Sequence, residues 1–166
     1  MKIKSIHIVD YMSHADSFIE FGDLVGIVGP NQHGKSAIFR ALKCVLTLDD
    51  FPEDYIRHGA KEASIEIHFD NGSWIRRKRR RKRRRGGQNI DIYNAVRDIT
   101  YNVTTTVGMK EIVEEVTGIY PVKLDPNSPA EYLQIIDSDV SPYWMVNNIS
   151  AESMLRKVNA LMTGSG

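Results

Sequence analysis

The stretch Gly29-Pro30-Asn31-Gln32-His33-Gly34-Lys35-Ser36 leaves the chain few folds to choose from. It fits the spacing G-x-x-x-x-G-K-S. Glycine lets a backbone wrap tightly, so successive amides can point inward as a nest for an anion. The flanks supply the context such a loop needs. Leu24-Val25-Gly26-Ile27-Val28 is an apolar run that predicts a buried central strand. Ala37, Ile38, Ala41, Leu42, Val45 and Leu46 recur at helical spacing and predict a helix over Ser36–Leu48 with one apolar face. A helix that starts at the loop aims its positive dipole end at the same place. Strand, loop and helix together predict a cradle for a triphosphate, made by Gly29, Pro30, Asn31, Gln32, His33, Gly34, Lys35, Ser36 and Ala37. Lys35 is expected to reach the β and γ phosphates and the Ser36 hydroxyl to ligate magnesium. The implied cofactors are ATP and Mg2+.

The rest of the chain reads as α/β. Ile3, Ile6 and Ile8 alternate as a first strand over 2–9, and a polar turn spans Asp10 to Asp16. Phe18, Ile19 and Phe21 mark a second strand. Ile65, Ile67 and Phe69 alternate, Asp70-Asn71-Gly72 turns, and Trp74-Ile75 starts a return strand. Gly86-Gly87 turns again before Ile90 and Ile92, giving a three-stranded antiparallel meander. A short helix is expected from Met109 to Thr117, capped by Gly118. Pro121, Pro126 and Pro129 mark a loop, Tyr132–Ile136 a strand, and Met154, Leu155, Val158, Leu161 and Met162 a last helix.

The formal net charge of +1 hides a strong asymmetry. Arg76, Arg77, Lys78, Arg79, Arg80, Arg81, Lys82, Arg83, Arg84 and Arg85 form an unbroken run of ten cations. Without them, 12 Lys and Arg face 21 Asp and Glu. The run is expected as a spur on the meander, extending past its buried part. It suits contact with DNA or RNA phosphates, since neutralising them releases counterions. Without interleaved aromatics it would grip backbone and not read bases. A solvated tip and a nuclear-import signal are the other readings. Cys44 is the only cysteine, which excludes an intrachain disulfide. No run of about 18 apolar residues is present, so no membrane span is expected.

Residues 1–48 resemble the N-terminal lobe of SMC and SbcC-type ATPases, an ABC-related family acting on DNA. The residues that carry the likeness are Ile6-His7-Ile8-Val9, Asp10-Tyr11-Met12-Ser13-His14, Phe18-Ile19-Glu20-Phe21, Gly29-Pro30-Asn31 with Ser36, and Ala37-Ile38-Phe39-Arg40-Ala41-Leu42. Met12 stands where relatives carry a cation, and His33 where a small residue is usual. The resemblance implies a P-loop NTPase half-domain with a mixed sheet, an antiparallel β-meander and flanking helices. It places Ser13 and His14 near the ribose and base. It also implies a magnesium- and water-sensing glutamine on a later loop, here Gln134, with Ser138 the alternative that the downstream Ser141-Pro142-Tyr143 would align. Residues 1–163 would be one lobe, with 150–163 a helix leading toward a coiled coil and 164–166 a tail or appended linker. The Ser-Gly-Gly signature is absent from the chain, and no apolar strand ending in Asp-Glu stands out. The resemblance assigns both to a C-terminal lobe that completes the hydrolase. It further implies a head-to-head homodimer, a nuclease subunit as partner and a role in DNA repair or recombination. The expected compartment is the cytoplasm of a bacterial, archaeal or phage-infected cell, or the nucleus of a eukaryote.

Other readings stay open. A P-loop kinase or GTPase is one, although no Asn-Lys-x-Asp guanine reader is present. A non-enzymatic nucleic-acid-binding module is another. Asp49, Asp50, Glu53 and Asp54 read as a solvated acidic loop or a metal site, Trp74 and Trp144 as packing residues, and Cys44 as core.

Overall fold

In the computed structural model, residues 1–23, 25–30, 34–81, 87–106 and 108–121 are described. They fall almost wholly in the first of two units, Met1–Gly118; the second is Ile119–Gly166. Six strands follow one another as β1 (Ile3–Tyr11), β2 (His14–Glu20), β3 (Glu62–Phe69), β4 (Trp74–Arg80), β5 (Gln88–Asn94) and β6 (Ile99–Val103). They form one sheet in the order β2-β1-β3-β4-β5-β6, and every neighbouring pair is antiparallel. Two helices join them, α1 (Lys35–Leu46) and α2 (Met109–Thr117). The phosphate-type loop and α1 lie in the long connection from β2 to β3.

Period-two alternation explains the two faces of the sheet. One face carries cross-strand rows of isoleucine, with Ile6 opposite Ile67, Ile67 opposite Ile75, and Ile75 opposite Ile92. All four are fully buried. Each contributes about 1.5–3 kcal/mol by leaving water. Helix α1 packs on this face against β1, β3 and β4, turning in Ala37, Ile38, Ala41, Cys44, Val45 and Leu46. Helix α2 adds Val113 and Val116 and touches α1. It stops where Gly118 takes the left-handed φ of 66° and donates its amide to Glu114 O.

The opposite face is polar and alternates in charge. His7 pairs with Glu66, Glu66 with Arg76, Arg76 with Asp91, and Asp91 with Asn102 across five strands. Arg76 reaches Asp91 Oδ2 through Nε at 3.0 Å and Nη2 at 2.8 Å, and Glu66 lies 3.6 Å from its Nη1. Opposite charges at facing positions stabilise a sheet and fix its register.

Several expectations need correction. Residues 25–30 join no strand, and Val28 is 93% exposed. An all-apolar strand needs partners on both edges and cover on both faces, and none of the described residues offers it a parallel neighbour. The sheet is therefore antiparallel among the described residues, not mixed. The meander has four strands, β3 to β6, not three. The polar turn shrinks to Met12-Ser13, because β1 continues through Tyr11 and β2 begins at His14. Trp74 lies on the polar face, tilted against Tyr93 at 6.3 Å with the Arg76 guanidinium 5.4 Å from its ring centroid. The expected strand 132–136 and helix 150–163, with Trp144 and the 164–166 tail, lie outside the described residues.

The basic run is the largest departure. Arg76–Arg80 are not a spur but a central strand, hydrogen-bonded to β3 on one side and β5 on the other. Lys82–Arg85 lie outside the described residues.

Candidate nucleotide site

Helix α1 begins with Gly34 as its N-cap, at φ 85°. Only glycine takes this conformation freely, and here space forbids any other residue as well. A Cβ at Gly34 would stand 2.6 Å from Ser13 Oγ and 2.8 Å from His14 Nε2. The β1–β2 turn therefore leans directly on the loop's end. Gly34 O accepts from Ala37 N at 3.0 Å and Ile38 N at 3.2 Å. His14 Nε2 also meets it at 3.1 Å. A carbonyl only accepts, so Nε2 carries the proton. In the neutral ring Nδ1 then accepts from Ser17 Oγ, 2.9 Å away. Ser13 and His14, expected at the nucleotide, are thus brought against the loop.

The turn is itself held from behind. Met12 N donates to Tyr55 O and Arg57 N to Asp10 O. Tyr11 is fully buried, edge-on to Phe51 at 5.5 Å and to Tyr55 at 5.6 Å. Burial raises its hydroxyl pKa, and that hydroxyl has no hydrogen-bond partner among the described residues.

Lys35 folds its ammonium onto the loop's own carbonyls, Gly29 O at 2.5 Å and Pro30 O at 2.6 Å. Ser36 is exposed in the first turn, while Ala37 is buried and can offer only its backbone. The first turn holds no acidic residue, and no side chain among the described residues caps it. Helix N-termini are normally satisfied by a capping oxygen. This one presents a positive dipole end, a nearby ammonium and an exposed hydroxyl, a donor set that fits a polyphosphate with its magnesium. Lys35 would supply a cation to the terminal phosphates and Ser36 one oxygen to the metal. Asn31, Gln32, His33, Gln134 and Ser138 lie outside the described residues. Among the described residues, no group of three His, Cys, Asp or Glu side chains is placed to hold a metal. Asp49 instead stands 3.6 Å from Lys43 Nζ, and Glu53 lies 3.8 Å from Arg79 Nη2.

Residues 5–142 match the family model of an AAA domain. The chain belongs to that family. An AAA domain is a nucleotide-binding P-loop ATPase module, and this type occurs in SMC-like proteins. The match spans the loop, both helices of the described residues and their six strands, save the first two residues of β1. No curated protein matches the chain. No helix among the described residues of this AAA domain is long and apolar enough to cross a membrane.

The described cations of those expected at nucleic acid, residues 76–81, are mostly engaged at home. Arg77, at 1% exposure, is turned inward, away from any external partner. Arg80 holds Glu62 Oε2 through Nε at 3.1 Å and Nη2 at 2.9 Å. Arg81 donates to Ala60 O at 3.1 Å and Ile56 O at 2.9 Å. Arg76 and Arg79 have the acids described above. Arg77, Lys78 and Arg81 have no carboxylate partner among the described residues, and of the three side chains only that of Lys78 has no hydrogen bond there either. Neither Arg77's inward role nor the Asp91 anchor emerged from sequence reasoning. The available signal was Glu62, Glu66 and Asp91 at strand spacing on the flanking segments.

Proposed function

We propose that this AAA domain is the ATP-binding N-terminal lobe of an SMC/SbcC-like ATPase working in DNA repair or recombination. The observation that carries the reading is the uncapped, acid-free start of α1, with Lys35 folded over the carbonyls of Gly29 and Pro30. ATP with magnesium would take the first-turn amides, draw Lys35 off those carbonyls and engage Ser36. Gln134 would serve as the second magnesium ligand and water sensor. The glutamate that activates water, and the signature segment, would come from a C-terminal lobe. Unpaired Val25–Val28 support that division, since such a run suits a sheet completed by another lobe. Residues 150–163 would lead into the coiled coil that links the lobes. ATP would join two heads, and its hydrolysis would release them and gate a nuclease subunit. DNA contact would fall to Lys82–Arg85, because the cations before them are largely neutralised or buried.

Titration with a fluorescent ATP analogue tests the reading. Binding that needs magnesium and falls at least tenfold in Lys35→Ala is expected; equal binding by both proteins would refute it. Replacing Lys82, Arg83, Arg84 and Arg85 by serine should lower the slope of log K for DNA against log salt by about 0.9 for each phosphate no longer neutralised. An unchanged slope would move the DNA-binding surface elsewhere.

A further inference from the structure

Arg77 sits where the sheet pattern asks for an aliphatic residue. It faces Ile65 on β3 and Ile90 on β5, and Ile65 faces Ile8 on β1. All three isoleucines are fully buried. A guanidinium in such a row is costly to desolvate unless its donors are used. Both terminal nitrogens are used, Nη1 on one short segment and Nη2 on β5, while Nε is buried with no hydrogen-bond partner among the described residues. Nη1 donates to Cys44 O at 2.6 Å and to Asp49 O, and it lies 3.3 Å from Cys44 Sγ. Nη2 donates to Gln88 Oε1 at 3.0 Å, and the guanidinium lies 5.7 Å from the Phe51 ring centroid. No carboxylate is bonded to it among the described residues. Residues 44–49 are the last turn of α1 and the chain that leaves it. The guanidinium therefore takes the end of the helix where carbonyls lack intrahelical donors and the dipole is negative.

We propose that Arg77 is a positioning residue for the nucleotide site, acting from the far end of the P-loop helix. The inference rests on the ATP-binding reading above. Helix α1 has 12 residues, so its two ends lie about 18 Å apart. A tilt of about 5° at the anchored end would carry Lys35 and the loop roughly 1.5 Å, given that length. Displacements of that size matter where several donors converge on one phosphate group. Arg77 ties the helix end to β4 directly and to β5 through Gln88, so the sheet fixes the axis that aims the loop.

The test compares magnesium-ATP affinity and amide hydrogen exchange in wild type, Arg77→Gln, Arg77→Lys, Gln88→Leu and Ile92→Ala. Ile92→Ala destabilises the same sheet at a position paired with Ile75 and Tyr101, not with Arg77. Arg77→Gln is expected to weaken ATP at least tenfold and to speed α1 exchange while β1 and β3 stay protected. Arg77→Lys keeps the charge but not the fork and should recover about half of the loss on a logarithmic scale. Ile92→Ala should leave affinity within twofold. Wild-type affinity in folded Arg77→Gln, or an equal loss in Ile92→Ala, overturns the proposal. Should Arg77→Gln fail to fold, Gln88→Leu decides: about threefold weaker ATP and faster α1 exchange support it, and unchanged values refute it. Should wild type bind no ATP, the proposed function fails, and α1 exchange alone judges the anchor; equal protection in Arg77→Gln and wild type would sink it.

Discussion

Replacing Gly34 by alanine should damage the nucleotide site through two separable terms. The first is conformational. Gly34 holds φ 85°, and an L-residue in left-handed backbone costs roughly 1–2 kcal/mol. The second is steric, because the new methyl would lie 2.6 Å from Ser13 Oγ and 2.8 Å from His14 Nε2. Ser13 is exposed and can rotate away. His14 is held between Gly34 O and Ser17 Oγ, so moving it loses two hydrogen bonds worth about 1 kcal/mol each. The sum is about 3 kcal/mol, or on the order of a hundredfold in ATP affinity. Titration with an ATP analogue measures it. A double-mutant cycle with His14→Ala separates the terms, because without the imidazole the methyl has room. The two changes should therefore cost about 1–2 kcal/mol less together than their sum. Strict additivity, or wild-type affinity in Gly34→Ala, would refute the geometry claimed for this junction.

Two other expectations concern the core behind the site. Tyr11→Phe removes a buried hydroxyl that has no partner among the described residues, so stability should hold or rise by up to about 1 kcal/mol in a thermal melt; a clear fall would reveal a partner for that hydroxyl. Cys44 is buried, and desolvation pushes its thiol pKa up to about 11. At pH 8 it should resist maleimide until urea opens the fold. The folded chain keeps a proton that the unfolded thiol releases near its ordinary value, so stability should fall as pH rises from there toward 11, and Cys44→Ser should remove that slope.

The sequence revealed α1, because its apolar residues repeat at helical spacing and a glycine stands at its start. It revealed β3 through strict alternation and the end of α2 through Gly118. It did not reveal β6. The turn before Ile99, over Ala95-Val96-Arg97-Asp98, has neither glycine nor proline, so nothing punctuated the chain there. The apolar run 24–28 misled because its composition reports what the segment is suited to, whereas pairing depends on residues elsewhere. The basic run misled for the opposite reason. Ten like charges suggest solvent, yet strand alternation still sorts them, with Arg77 and Arg79 turned toward α1's side and Arg76, Lys78 and Arg80 toward the acids of β3 and β5. The fate of β4 is written in its neighbours, not in its own composition. Of the phosphate loop, Gly34 stands at the N-cap of α1 and Lys35-Ser36 in its first turn, where the motif puts them.

A run of arginine and lysine is, on paper, the best trypsin substrate in the chain. Proteases bind an extended segment with both edges free, and β4 has neither edge free. Cleavage after Arg76, Arg77, Lys78, Arg79 or Arg80 must wait for the sheet to open between β3 and β5, so digestion there should follow the population of the opened state. Five adjacent scissile bonds thus become a clock for unfolding of the middle of the domain.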